Sequence, residues 1–451
     1  MAAIEVPDSA VQITAPLPLS VDLGTLRWAA GPAHVDVHTP RVVWKDTTVA
    51  LDQAHLTLQT LQGDHAHWQA QGALSLADVS PQLPTVPLPV TQWEASFAMD
   101  DAALRLEAHS TAFDAAVKLA SRLEYAFATQ AGSAHLQLSP VQFDPSHLSW
   151  RKMLPLESFP VDVTGGHLSA TALLTWGPEA GSRDQSPVFQ TGSATIMLEQ
   201  LSGQYESIAV NGLTTTLKLH TAGADTLTMP EPARVTIAAV QTGVEVTDLS
   251  LDLQLGWTPP ATVEWVALRN VRAAVFGGRV TSEGVRVDFA HPDQTFTVKV
   301  EQLDLQQLLH LEQQKGMEGT GVLDGVIPVI FTPTGVQVHD GILEARPPGG
   351  VLQYQPAPDT AQEVAPADAQ LSLVLQALSD FHYNALKLGI QYEEDGTLKL
   401  TARLEGKNPD WQQGRLVNFN LTVQENIPAL LKSLQVVQGI EQSLQERLQR
   451  R

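Results

Sequence analysis

The 451-residue chain contains no cysteine, few cations and no long apolar run. Without cysteine there is no disulfide framework, no thiolate metal site and no cysteine nucleophile. The absence also suits an oxidising compartment, where stray thiols are a liability. Lys and Arg number 27 against 49 Asp and Glu, a formal net charge of −22. Nucleic-acid binding requires clustered cations that displace phosphate counterions. The sequence has no such cluster, and no polybasic run for docking on an anionic membrane. Charged residues make up only 17%, below the usual ~25%, a deficit expected of long uncharged β segments. No stretch reaches the ~18 apolar residues of a membrane-spanning helix, and no signal peptide is legible. Any targeting segment is expected to lie outside this sequence.

Catalytic signatures are missing as well. There is no GxSxG elbow, GxxxxGK[ST] loop, HExxH helix or Rossmann glycine fingerprint. Glu405-Gly406-Lys407 lacks the upstream glycine of a phosphate loop. His34, Asp36 and His38 share one strand face and can in principle hold a metal, as can His65 and His67 beside Asp64. The plainer reading is solvated polar residues, because no second ligand cluster supports either group. Asp100 and Asp101 pair two carboxylates; Glu393, Glu394 and Asp395 precede Gly396 between two alternating runs, which is hairpin turn chemistry. No catalytic residue, metal ligand or cofactor is assigned, and the chain is read as non-enzymatic.

What is present is strict two-residue alternation. Apolar residues recur at Val161 and Val163; Leu217 and Leu219; Val244 and Val246; Leu249, Leu251, Leu253 and Leu255. They continue at Val285, Val287 and Phe289; Phe296, Val298 and Val300; Val336 and Val338; Leu398 and Leu400. Successive strand residues point to opposite faces, so each run has one apolar and one polar face. That is the signature of antiparallel sheet; parallel strands buried on both sides read as continuous apolar runs. The spacing of the runs implies on the order of 25 strands, too many for a flat open sheet, so the sheet must curl, split or pair. A curl with the apolar face inside makes a trough, and the alternating residues are its expected lining. A closed sandwich core is the competing reading of the same pattern.

Helices are scarce. A short one is expected over residues 303–314 with Asp304 as N-cap. An amphipathic helix is expected over 427–449, where Leu430, Leu431, Leu434, Val437, Ile440, Leu444 and Leu448 fall at three- and four-residue steps. Pro- and Gly-rich segments at 80–89, 177–187, 258–260 and 355–369 separate blocks of strands without changing their style. The last strand, roughly 416–423, carries Leu416, Phe419, Leu421 and Val423 and is a candidate edge for an added partner strand.

Several segments stand in a specific order: VFGGRV at 275–280, VEQLDLQQLL at 300–309, GTGVLDGVIPVIF at 319–331 and GVQVHDGILEARPPGGVLQYQP at 335–356. ALSDFHYNALKLGIQYEEDGTLKLTARLEGKNPDW at 377–411 and GRLVNFNLTVQENIPALLKSL at 414–434 follow. Together they resemble the C-terminal region of the YdbH family, a branch of the AsmA-like proteins. The resemblance covers about 261–450; residues 1–260 share only the β style. It implies a long, U-sectioned β-sheet, the β-taco, open along one side. It implies phospholipid transport from inner to outer membrane in the periplasm, an inner-membrane anchor in the full-length form, and a small outer-membrane lipoprotein of the YnbE type as a strand-adding partner. The expected organisation is a groove over 1–260, a β region over 261–426 continuous with it, and a helix over 427–451. A structural or interaction β protein of the cell envelope, without lipid cargo, is the alternative. Phe381 and Tyr383 share a face and are expected to pack as core, with His382 opposite.

Overall fold

The computed structural model describes residues 3–426, apart from 6–10, 15–18, 39–40, 45–46, 83–88, 145, 147, 149–160, 179–186, 206–207, 223–226, 243, 259–261, 290–293, 311–316, 333–334 and 355–368. The helix expected over 427–449 lies outside the described residues.

The described strands begin with β1 (Ala3–Glu5), β2 (Val11–Thr14), β3 (Leu19–Asp22), β4 (Arg27–Ala30), β5 (Ala33–His38), β6 (Arg41–Trp44), β7 (Thr47–Ala50), β8 (Gln53–Gly63) and β9 (Trp68–Gln82). They continue through β10 (Thr91–Asp100), β11 (Ala103–Ala112), β12 (Val117–Ala126), β13 (Ala131–Phe143), β14 (Val161–Pro178), β15 (Pro187–Tyr205), β16 (Ile208–Ala222), β17 (Leu227–Thr228), β18 (Ala233–Gln241), β19 (Glu245–Thr258) and β20 (Thr262–Val275). Next come β21 (Gly278–Asp288), β22 (Gln294–Asp304), β23 (Met317–Gly319), β24 (Val322–Thr332), β25 (Gly335–Ala345), β26 (Gly350–Tyr354), β27 (Phe381–Tyr392), β28 (Thr397–Lys407) and β29 (Leu416–Asn426). Among the described residues two short helices interrupt them: α1 (Leu305–Leu309) and α2 (Ala369–Leu378). The chain is thus mainly β, and its registered strand pairs are antiparallel. No helix among the described residues is long and apolar enough to cross a membrane.

The chain forms two compact units. One comprises Met1–Glu206, Gly212–Ala233 and Gly256–Thr262; the other comprises Ser207–Asn211, Arg234–Leu255 and Val263–Arg451.

In the first unit, successive hairpins stack apolar residues in register. One cross-strand row runs Leu58, Gly72, Phe97, Leu106, Leu123, Ala134, Leu174 and Gly192 from β8 to β15. The opposite face carries polar pairs such as Arg122 with Glu107, 2.8 Å apart. A small buried cluster of Val141, Phe143 and Leu148 seals one local corner.

In the second unit Val298 faces Ile327, and a separate row runs Ile390, Leu400 and Val423 across β27, β28 and β29. Here the face closes into a core of Val300, Leu303, Leu305, Leu323, Leu343, Leu352, Ala377, Leu378, Phe381, Tyr383, Leu386, Leu388, Leu404 and Phe419. Phe381 is fully buried and meets Phe419 edge-on with ring centroids 5.1 Å apart. Tyr383 donates its hydroxyl to the Thr320 carbonyl at 2.6 Å. Gly349 passes so close to Tyr383 that a Cβ there would strike the Tyr383 carbonyl oxygen, and its φ of +97° is open to glycine alone at low cost. As expected, His382 points away, toward Asp380 at 3.2 Å.

α1 starts where Asp304 caps it, accepting from the Gln306 N–H at 2.8 Å. α2 is an element that the sequence reading did not anticipate. Its Ala377 and Leu378 are buried in the core. Buried Asn408 satisfies its C-terminal end by donating to the carbonyls of Gln376 at 3.1 Å and Ala377 at 3.3 Å.

Bulges punctuate the strands. Asp78, Gln200, Asp248, Gln302 and Asp340 all sit inside strands with φ between 50° and 58°. Registers shift beside them, between Val300 and Leu303 and between Val338 and Gly341. Each bulge bends its strand and sharpens the local twist. Freed backbone donors find partners: Gln302 N–H donates to Asp324 at 2.8 Å, and Gln200 N–H to Thr214 at 3.1 Å.

Candidate functional site

The site that the strands build is a face. A bulge explains how the face stays apolar where the alternation slips by one residue. Val244 and Val246 are followed by Leu249, Leu251, Leu253 and Leu255, and the left-handed Asp248 between them absorbs the extra residue. Asn270 is also left-handed and lies between Leu268 and Val271, which face Val285 and Ser282 of β21 in one unbroken register.

Polar partners pin the opposite side. Asp252 accepts from Asn270 Nδ2 at 2.6 Å and from Arg234 Nη1 at 2.9 Å. The Asn270 amide, then the Arg234 guanidinium, hold its carboxyl below the usual carboxylate range. A charged residue tied on both sides fixes that face outward, so Leu251 and Leu253 stand on the other.

Burial bears on the two readings of the apolar face. Residues inside a sandwich core are sealed between two sheets. Leu217, Leu219, Val244, Val246, Leu249, Leu251, Leu253, Leu255, Val285, Val287, Phe296, Val298, Leu398 and Leu400 are instead only half-buried. So are Leu58, Phe97, Leu106, Leu123 and Leu174 in the first unit. Val163 is half-buried against the Val141 cluster, while the side chain of Val161 lies outside the described residues. Val300 and Val338 are buried, at 4% and 8% exposure. Phe289 and Val336 are exposed, at 51% and 38%. Val300 belongs to the closed core and differs in this from the half-buried residues of β19 to β21.

β29 pairs with β28 from Thr397–Asn426 to Lys407–Leu416. Among the described residues no strand registers on its other side. Phe419 is buried beneath it, Leu421 is half-buried, and Val423 is at the border of exposure. Leu416 falls on the opposite face and is 74% exposed.

The polar candidates resolve into local structure. Asp36 meets His55 Nδ1, and His34 Nδ1 lies 3.2 Å from Thr57 Oγ1. Asp64 accepts from Ala66 N–H and His67 N–H in a turn, and His67 Nδ1 lies 2.9 Å from Asp101. Asp100 accepts from Ala102 and Ala103 N–H, both at 2.8 Å. In the 393–396 turn, Gly396 N–H donates to the Glu393 carbonyl at 3.0 Å. Bonds from Thr397 hold the Asp395 carboxyl low.

The described strands define a mainly-β protein of antiparallel pairs. The family comparison makes the class specific: residues 1–449 match the model of the YdbH-like family, described as intermembrane phospholipid transport protein YdbH, and the chain belongs to that family. The match extends over both units, including the first 260 residues, where the sequence carries only a general β style. No curated protein and no solved structure matches the chain. Membership makes phospholipid the cargo and the cell envelope the setting.

Proposed function

We propose that the chain moves phospholipids between membranes by laying their acyl chains along the half-buried apolar face, with head groups left in water. The observation that carries this is the half-exposure of Leu249, Leu251, Leu253 and Leu255, a run of large apolar side chains with Asp252 tied outward between them. Burying a methylene is worth ~0.8 kcal/mol, so a sixteen-carbon chain costs on the order of 12 kcal/mol to expose. An apolar face removes that barrier by contact alone, and no bond needs to be made or broken. The remaining lining, Val163, Leu217, Leu219, Val285, Val287, Phe296, Val298, Leu398 and Leu400, takes the same role. The open edge of β29 is the docking place for a strand from a small outer-membrane lipoprotein, and an inner-membrane anchor holds the full-length protein in the periplasm.

Photocrosslinking tests the reading. A photoreactive residue at Leu251 or Leu253 should capture phospholipid, identified by mass spectrometry after extraction, and one at Asp252 should not. Equal capture from both faces, or none from either, overturns the one-sided path.

A further inference from the structure

The hairpin of β3 and β4 ends in a turn whose leucines serve neither packing nor backbone. Asp22 and Arg27 form its last strand pair, so Leu23, Gly24, Thr25 and Leu26 make the turn. Asp22 holds it in shape: its carboxylate accepts from the Gly24 N–H and the Thr25 hydroxyl, both at 2.8 Å. Leu26 is left-handed, with a φ of +54°. Glycine or asparagine takes that conformation at low cost, whereas a leucine there is strained. Burial does not compensate, because Leu26 is 57% exposed and Leu23 is 83% exposed. Leu19 and Val21, on the strand behind them, are exposed as well. Exposed apolar residues scattered singly need no explanation, but these four lie together within residues 19–26 and form a patch.

Aromatic side chains stand behind the patch at the same end of the first unit. Val21, Trp28, Gly63 and Trp68 make one cross-strand row. The next row on that face runs from Ala70 through Met99, Leu104 and Tyr125 to Gly132 and Trp176. Trp28 lies over Gly63 and Trp176 over Gly132, so that a Cβ at either glycine would come within 2.8 Å of the ring. Indole and phenol rings favour the head-group level of a bilayer, with aliphatic side chains beyond them in the acyl region. The same face continues inward through Gly72, Phe97 and Leu106. A bilayer at the hairpin therefore meets the end of that face.

Charge selects the kind of lipid. Trp28 and Trp68 share a concavity with Asp22, Asp64, Asp100 and Asp101, against Arg27 and His67. Four carboxylates in one place favour head groups that present an ammonium and repel anionic ones.

We propose that the β3–β4 hairpin docks the chain on a bilayer of zwitterionic phospholipid, with Leu23 and Leu26 in the acyl region and the tryptophans at head-group level. A lipid surface is the occupant that suits a member of a phospholipid-transport family. The docking does not require the acyl-chain path proposed above.

The test floats the full chain with vesicles of dioleoylphosphatidylcholine, alone or mixed equally with dioleoylphosphatidylglycerol. Wild type should float with the first and more weakly with the second. Leu23→Ser/Leu26→Asn should bind the first about a hundredfold more weakly, about tenfold for each leucine withdrawn from the acyl region. Its urea midpoint should not fall, since asparagine suits the left-handed position. Leu173→Ser removes another exposed leucine, opposite His135 in the same unit, and should bind as wild type does. Capture of detergent-presented phospholipid by a photoreactive residue at Leu251 should not change in the double variant. If wild type captures none there, the acyl-chain path falls and the docking stands; if only the double variant loses capture, the hairpin change acts through the fold and the docking falls. The docking is also overturned if wild type does not float, if the double variant floats as well as wild type, or if Leu173→Ser loses as much. Tighter binding to the anionic mixture overturns it too. So does a wild type that sediments as a dimer without lipid while the double variant is a monomer, which makes the patch a contact between copies.

Discussion

Replacing Leu253 with Asp separates the transport role of the apolar face from its role in folding. Fully burying a leucine side chain is worth about 1.5–3 kcal/mol, so a half-buried one contributes roughly 1 kcal/mol. Leu253 is half-buried, and an aspartate there keeps part of its hydration while the face is empty. Folding stability should therefore fall by only about 1 kcal/mol, measured as a modest drop in the urea midpoint. An occupied face is different. A tail lying across position 253 loses contact with roughly three methylenes, about 2.4 kcal/mol, and strips water from a carboxylate in addition. The first contribution alone corresponds to about a fiftyfold weaker hold. Transfer of a fluorescent phospholipid from donor to acceptor vesicles should slow by at least that factor, with Asp252→Asn as the control that leaves transfer intact. Two results refute the reasoning. A loss of ~4 kcal/mol or more would mean that Leu253 sits in a packed core, where leucine truncation costs that much. Unchanged transfer would mean that no tail crosses it.

Phe381→Ala should cost about 3–5 kcal/mol, because its ring is fully buried against Phe419; a loss below 1 kcal/mol by urea denaturation would contradict a closed core there. Burial pushes the Tyr383 phenol up to about 12. Its raised value stabilises the fold fully below the unfolded value near 10, and that contribution is lost as pH rises through about 12, so phenolate absorbance should show one late tyrosine that Tyr383→Phe removes. Asp324 is held low first by Arg346, then by the Gln302 N–H. Its contribution is present above the ordinary carboxylate range and lost as pH falls through the depressed value, so the stability gap between wild type and Asp324→Asn should close on acidification. Asn408→Ala leaves the Gln376 and Ala377 carbonyls unsatisfied and should lower stability by about 1–3 kcal/mol, with faster amide exchange in α2.

The strands were readable because one physical cause, a half-covered sheet, writes a period of two wherever it acts. The slips in that period were readable too: Val246 to Leu249 marks the bulge at Asp248. What pairs with what was not, since Val163 packs on Val141 and Val300 on Leu323 only once distant strands meet. α2 escaped because LSLVL within it mimics strand alternation; Val374 and Leu378 at four-residue spacing, with Ala377 beside them, were the helical signal. The segments that carry the family resemblance turn out largely to be structural: Phe276–Gly277 forms the β20–β21 turn, Gly349 clears Tyr383, and Asn408 caps α2.

Transport asks for something that a binding pocket avoids. A tail held at one deep site must climb out of it, and each 1.4 kcal/mol of depth slows escape tenfold. Val, Leu and Phe repeated at every second position of β19, β21 and β22 offer contacts of nearly equal strength, so a chain can slide with little net change at each step. In the proposed path, the half-burial of most of these residues keeps the contacts similar, with one flank on their neighbours and one left for the tail. The buried cluster from Val300 onward offers no such flank. On the proposed path a tail keeps such contacts on β19, β21 and the Phe296–Val298 stretch of β22, and loses them at Val300, where the buried cluster begins.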